Sequence, residues 1–99
     1  VEYAIRFAES AEEHLQWLTA RQQTILLDAI EIQLRHEPFK ETRNRKPLRP
    51  NLIASWELRV GNLRVLYEID EEETGTVNVT AIGIKNGNRL LIAGEEIDL

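Results

Sequence analysis

Two runs of strict apolar–polar alternation meet at a two-residue break, Gly61-Asn62, and no other part of the sequence restricts the fold as much. Trp56 to Asp70 therefore reads as a β-hairpin, with Gly61 supplying the positive φ that the first central position of such a turn requires. This register sets Val60 opposite Leu63, Leu58 opposite Val65 and Trp56 opposite Tyr67, so one face is continuously apolar. On the other face Arg59 falls opposite Arg64. Like charges facing each other across a strand pair are destabilising unless something negative sits between or over them. That pair is the strongest pointer to function in the sequence.

An apolar hairpin face needs a cover, and the segment before it supplies one. Tyr3, Ile5 and Phe7 alternate with Ala4 and Arg6, as in a short first strand. Ser10 and Glu13 have capping-box spacing and predict a first helix over 11–19; Thr19 and Gln22 repeat the signal for a second helix reaching about His36. Ile25, Leu26, Ala29, Ile30 and Ile32 form a broad stripe on it, and Pro38 ends it. Two helices with almost no linker form a helical hairpin that can bury its apolar side against the Trp56 hairpin. Trp56, Tyr67, Phe7 and Trp17 are expected in the resulting core. From Glu37 to Leu52 periodicity is lost among Pro38, Pro47 and Pro50, giving a long basic loop of the kind that is often functional. After the hairpin, Glu71 to Thr76 reads as an acidic turn. Val77, Val79 and Ala81 begin a further strand to about Ile84, and Lys85-Asn86-Gly87-Asn88 breaks it. The tail from Arg89 to Leu99, with its Leu90-Leu91-Ile92 run, fits no single pattern.

Charge is segregated along the chain. Residues 35–64 hold eight basic and three acidic side chains, a net +5, while the remainder carries four basic and fourteen acidic, a net −10. A local basic patch on an acidic body can bind phosphate even though the overall charge of −5 disfavours indiscriminate nucleic-acid binding. There is no cysteine, and His14 and His36 have no partner at ligand spacing, so neither a metal nor another cofactor is expected. No apolar run approaches the roughly 20 residues of a bilayer span. Ninety-nine residues suggest one domain, residues 1–99. The sequence begins at Val1 without methionine or a signal-like succession, from which loss of a first residue and a cytoplasmic location are expected.

The order strand, two helices, basic loop and meander resembles the RelE/ParE superfamily of toxins from type II toxin–antitoxin systems. The likeness is carried by Lys46-Pro47-Leu48, Asn51-Leu52, Trp56 through Tyr67 with its Leu-Arg-x-Gly-x-x-Arg-x-x-Tyr pattern, and Ala81-Ile82-Gly83. It implies an α+β fold in which a four-stranded, mainly antiparallel sheet packs on an N-terminal helical hairpin. For the RelE branch it implies a ribosome-dependent endoribonuclease that cuts messenger RNA by attack of a ribose 2′-hydroxyl on the adjacent phosphate. By position, Arg64 would be the principal phosphate clamp, Arg59 a second cation and Lys85 a third; Lys46 lies at a position that is basic in some relatives and a catalytic glutamate in others, and Arg45, Lys46 and Arg49 of the basic loop, with Arg89, are expected on charge to contact RNA. Two departures stand out. Glu57 replaces a lysine and becomes either a substitute general base or a neutralising partner, and Leu91 aligns with a catalytic tyrosine. The implied partners are a cognate antitoxin in a toxin–antitoxin hetero-oligomer, the ribosome and messenger RNA. The alternative is a non-enzymatic member: a ParE-like gyrase inhibitor or a degenerate antitoxin-binding module. The plainest alternative for Arg59 and Arg64 is surface ion pairing with Glu57 and Glu68.

Overall fold

A computed structural model describes residues 2–70 and 75–99. Its elements run β1 (Ala4–Phe7), α1 (Glu9–Leu15), α2 (Ala20–Leu34), β2 (Arg45–Pro47), β3 (Trp56–Val60), β4 (Leu63–Asp70), β5 (Thr76–Asn86), β6 (Arg89–Ile92) and β7 (Glu95–Ile97). The expected acidic turn falls largely on residues 71–74, outside the described ones. The fold is α+β, with two helices against a mostly antiparallel sheet. Among the described residues that sheet has seven strands, not four, in the order β2-β3-β4-β5-β6-β7, with β1 parallel to β5. The added strands come from the two stretches without periodicity. Arg45–Pro47 pairs antiparallel with β3, and the tail folds into β6 and β7.

The central hairpin has the register its sequence predicts, Trp56 on Tyr67 through Val60 on Leu63, with Arg59 facing Arg64. Gly61 has φ +59°. Only this first central residue of the turn is left-handed, the pattern of a type II′ connection. Thr19 and Gln22 form the capping box, each side chain bonded to the other's backbone N–H at 2.9 and 3.1 Å. Ser10 does not cap. The first helix starts at Glu9 and ends at Leu15, and the Ser10 hydroxyl instead donates to the Thr80 carbonyl across the sheet. On α2 the buried line is Leu26, Ile30 and Leu34, while Ile25 and Ile32 are exposed, because a helix lying on a sheet buries a narrow strip rather than a broad stripe. Trp17 is also outside the core, at 62% exposure, lying over Gly94.

Strand β5 changes sides partway along. Leu66 pairs with Ala81 but Tyr67 pairs with Val79, leaving Thr80 as a bulge. One extra residue reverses the alternation. Val77 and Val79 before it and Ile82 and Ile84 after it all face the helices, with Leu58, Val65 and Tyr67. Ala81 faces the other way. It joins Leu66, Ala54, Leu90 and Ile92 in a second core on the outer face, where Leu48, Ile53, Ile97 and Leu99 pack around it. The bulge is held by the Thr80 hydroxyl on the Leu66 carbonyl at 3.2 Å. Between the end of β1's pairing at Val79 and the start of β6's at Ile84, no strand among the described residues pairs with that edge. There the Ile82 N–H donates to His14 Nδ1 at 3.2 Å.

Two expected outcomes follow from these contacts. A Cβ at position 83 would meet the Leu91 carbonyl oxygen at 2.7 Å, a backbone atom with little room to move. Gly83→Ala is therefore expected to destabilise by about 1–3 kcal/mol, read from urea unfolding. His14 accepts through Nδ1 and must be neutral to do so, and burial lowers its pKa while nearby Glu13 raises it by less. A lowered folded pKa means that His14 stabilises fully above its ordinary value near 6.5, and that this contribution is lost as pH falls through the lower folded value. His14→Phe is expected to flatten this acid-side loss. It also leaves the Ile82 N–H unpaired, at a cost of about 1–3 kcal/mol at neutral pH.

Candidate functional site

The outer face of β2–β5 gathers the charged residues. Leu58 points into the helix-side core, so Glu57 and Arg59 point outward. Lys46 pairs with Glu57 on one side, and Arg64 pairs with Arg59 on the other. Because the Thr80 bulge reverses β5, Ile84 faces the helices and Lys85 faces out. Without that extra residue Lys85 would point into the core.

Glu57 is the centre of this arrangement. Its Oε1 lies 2.8 Å from Arg64 Nε and 3.6 Å from Arg59 Nε. Lys46 stands directly across on β2, with its Nζ 3.8 Å from Glu41. Lys85 lies with Glu57 in the wall of one cleft of about 170 Å³. Two arginines thus flank one carboxylate, with Lys46 and Lys85 beside it on the same outer face, and the side chains of Glu57 and Arg64 are only 13% and 12% exposed. The Arg64 Nε–H is not aligned on the Glu57 oxygen and has no hydrogen-bond acceptor, so the contact is ionic. Arg64 Nη1 donates to the Gly61 and Leu63 carbonyls at 2.7 and 2.9 Å, folding the guanidinium onto its own turn. Glu68 takes no part in the cluster. Both its oxygens accept from the Ser55 hydroxyl.

Chemically, such a cluster can hold a phosphate between planar guanidinium donors and place a carboxylate beside it to accept a proton. The other basic residues lie apart from it. Arg45 pairs with Leu58 and therefore faces the helices, where it donates to the carbonyls of Gln33 at 2.6 Å and Lys40 at 3.0 Å, tying α2 to β2. Arg49 donates to the Leu99 carbonyl at 3.0 Å, and Arg89 contacts Glu96 at 3.2 Å. Leu91 is on the wrong side for the expected phenol. Leu90 lines the Glu57 cleft, whereas Leu91 lies with His14 and Trp17 on the helix side, so a tyrosine there would point away from the cluster.

Tyr67 is structural. It is wholly buried, its hydroxyl donates to the Pro38 carbonyl at 2.7 Å, its ring stacks on Trp56, and burial pushes its pKa far above the ordinary value. A groove of about 430 Å³ at the Thr80 bulge offers little polar chemistry, since the Ser10 and Thr80 hydroxyls already donate to carbonyls. Among the described residues no group of three His, Asp or Glu could hold a metal ion, and no helix is long and apolar enough to cross a membrane.

No protein-family model matches the sequence, and no curated protein matches it. Among solved structures the chain is similar to one in the RelBE2 toxin–antitoxin complex from Mycobacterium tuberculosis. The two are 31% identical, the match covers 86% of this chain and 100% of that chain, and the TM-score is 0.69. Identity at this level over that chain's whole length, on the same α+β frame, makes this protein a member of the RelE-like toxins of the RelE/ParE superfamily.

Proposed function

We propose that this toxin acts in the cytoplasm as a ribosome-dependent endoribonuclease that cuts messenger RNA, and that a cognate antitoxin holds it inactive in a hetero-oligomer. One observation carries the reading: a carboxylate in contact with two arginines, with two lysines beside it on the same outer face of the sheet. Glu57 takes the proton of the ribose 2′-hydroxyl as that oxygen attacks the adjacent phosphorus. Arg64 and Arg59 stabilise the charge that builds on the phosphate oxygens, and the Lys85 ammonium, on the wall of the same cleft, donates a proton to the 5′-oxygen as its bond to phosphorus breaks. The products are a 2′,3′-cyclic phosphate and a 5′-hydroxyl. Lys46 holds the flanking phosphate, with Arg49 and Arg89 further along the strand. Arg45 is left with its structural task.

The antitoxin part rests on the similar chain, which belongs to a toxin–antitoxin complex. The test is primer extension on a message in a translating extract with the purified protein added. Ribosome-dependent cuts are expected, and Arg64→Ala is expected to reduce them about 10²–10³-fold. Intact message with ribosomes present would overturn the reading. A non-enzymatic second reading, gyrase inhibition or simple antitoxin binding, is favoured by one observation: Arg64 and Glu57 neutralise each other at 2.8 Å, both nearly buried.

A further inference from the structure

We propose that the segment Glu95–Leu99 is a built-in competitor that narrows the cationic cleft against RNA until it is displaced; this rests on the reading that the cleft takes an RNA phosphodiester. The segment begins as β7, whose strand partner is β6, and it stands at the end of the sheet. Ile97, the strand's last residue, and Asp98 and Leu99 beyond it line the same cleft as Glu57, Lys85 and Asn88. That cleft holds about 170 Å³. Pockets that enclose small ligands run to about 300–1,000 Å³, so the space as it stands admits a phosphate group but not a nucleotide. Moving the segment aside opens it.

The segment also has the chemistry of a competitor. It carries Asp98 to the wall of the cleft that also holds Lys85, so a carboxylate stands where a phosphate chain would meet that cation. Two further cations, outside the cleft, hold the segment. Arg49 Nη2 donates to the Leu99 carbonyl at 3.0 Å, and Arg89 Nε contacts Glu96 Oε1 at 3.2 Å. The apolar side chains Ile97 and Leu99 pack on the second core beside Leu48 and Ile53, which fixes the acidic side chains in place. Its attachments are few and reversible. The Arg89–Glu96 pair is exposed on both sides and correspondingly weak, the strand is three residues long, and the preceding turn places Ala93 at φ +51°, a conformation that opposes a Cβ.

The test is fluorescence anisotropy of the full chain with a single-stranded RNA hexamer whose 2′-hydroxyls are methylated, so that it binds but cannot be cut. Asp98→Asn, which keeps the shape and removes one charge, and Ile97→Ala, which loosens the strand, are each expected to bind it roughly fivefold tighter than the parent, or about 1 kcal/mol. Amide exchange at Ile97–Leu99 in the parent is expected to accelerate when the hexamer is added. Equal, measurable affinity in all three chains, with exchange unchanged, would overturn the competitor and leave the RNA reading standing. No binding by any of them would overturn the competitor, and the ribosome-dependent cleavage would stand or fall separately on primer extension with ribosomes present.

Discussion

Glu57→Gln is expected to lower the rate of message cleavage about 10²–10⁴-fold, the range for loss of a positioned general base. The substitution keeps the side chain's length and its place in the cleft, and removes only its charge and basicity. The two roles open to Glu57 predict opposite outcomes. As a general base it is indispensable, and the variant binds RNA but cuts slowly across the pH range. As a counter-ion it restrains Arg64 and Arg59, 2.8 and 3.6 Å away, and its removal frees both for phosphate. Cleavage would then hold steady or rise. Single-turnover cutting of a ribosome-bound message separates rate from affinity, so a rise in cutting would remove Glu57 from the chemistry and leave the arginines in it. A single binding measurement would not suffice, because both roles predict tighter RNA binding once the carboxylate beside Arg64 and Arg59 is neutralised.

What the sequence made legible, and what it did not, divides along physical lines. The Trp56–Tyr67 hairpin was readable because period-two alternation and a glycine turn are local signals, and they determine the register that brings Arg59 opposite Arg64. The Thr19–Gln22 cap was readable for the same reason. Ser10–Glu13 had the same spacing but no such cap, because the helix begins at Glu9 with Ala8 at the N-cap, which puts Ser10 inside the first turn, where its hydroxyl donates to the Thr80 carbonyl. β2 was hidden in the basic loop because three residues, one of them proline, are too few to alternate visibly, and its pairing comes from β3. The Thr80 bulge has no composition of its own, yet it determines which way Lys85 points. Glu57, Arg59, Arg64 and Lys85 were each named from the sequence, and all four lie on one outer face. Arg45 was included on charge alone, which says nothing about the side of the sheet. The tail's place beside the cleft was out of reach for a different reason: it depends on Gly83 allowing β6 to pass close to β5, a packing contact that no periodicity marks.

Leu66→Ala is expected to cost about 2–5 kcal/mol, as much as truncating a leucine in the helix-side core. By alternation Leu66 belongs to the polar face of its strand, between Arg64 and Glu68, where an isolated exposed leucine would contribute little. Instead it is completely buried. Its neighbours are Ala81, turned outward by the Thr80 bulge, and the apolar residues of β6 and the loop at Ile53–Ala54. The outer face is therefore half core and half charged cluster, and Leu66 sits at the boundary, directly across from Glu57. Urea unfolding measures the cost, and Leu58→Ala, cut from the helix-side core, provides the scale. Comparable losses would establish that the β6–β7 hairpin and the loop over Leu66 form an integral second core that braces the charged cluster from one side. A loss below about 1 kcal/mol would mean that this cover contributes little to the fold, and that the rigidity of the Glu57 site comes from the hairpin and the helices alone.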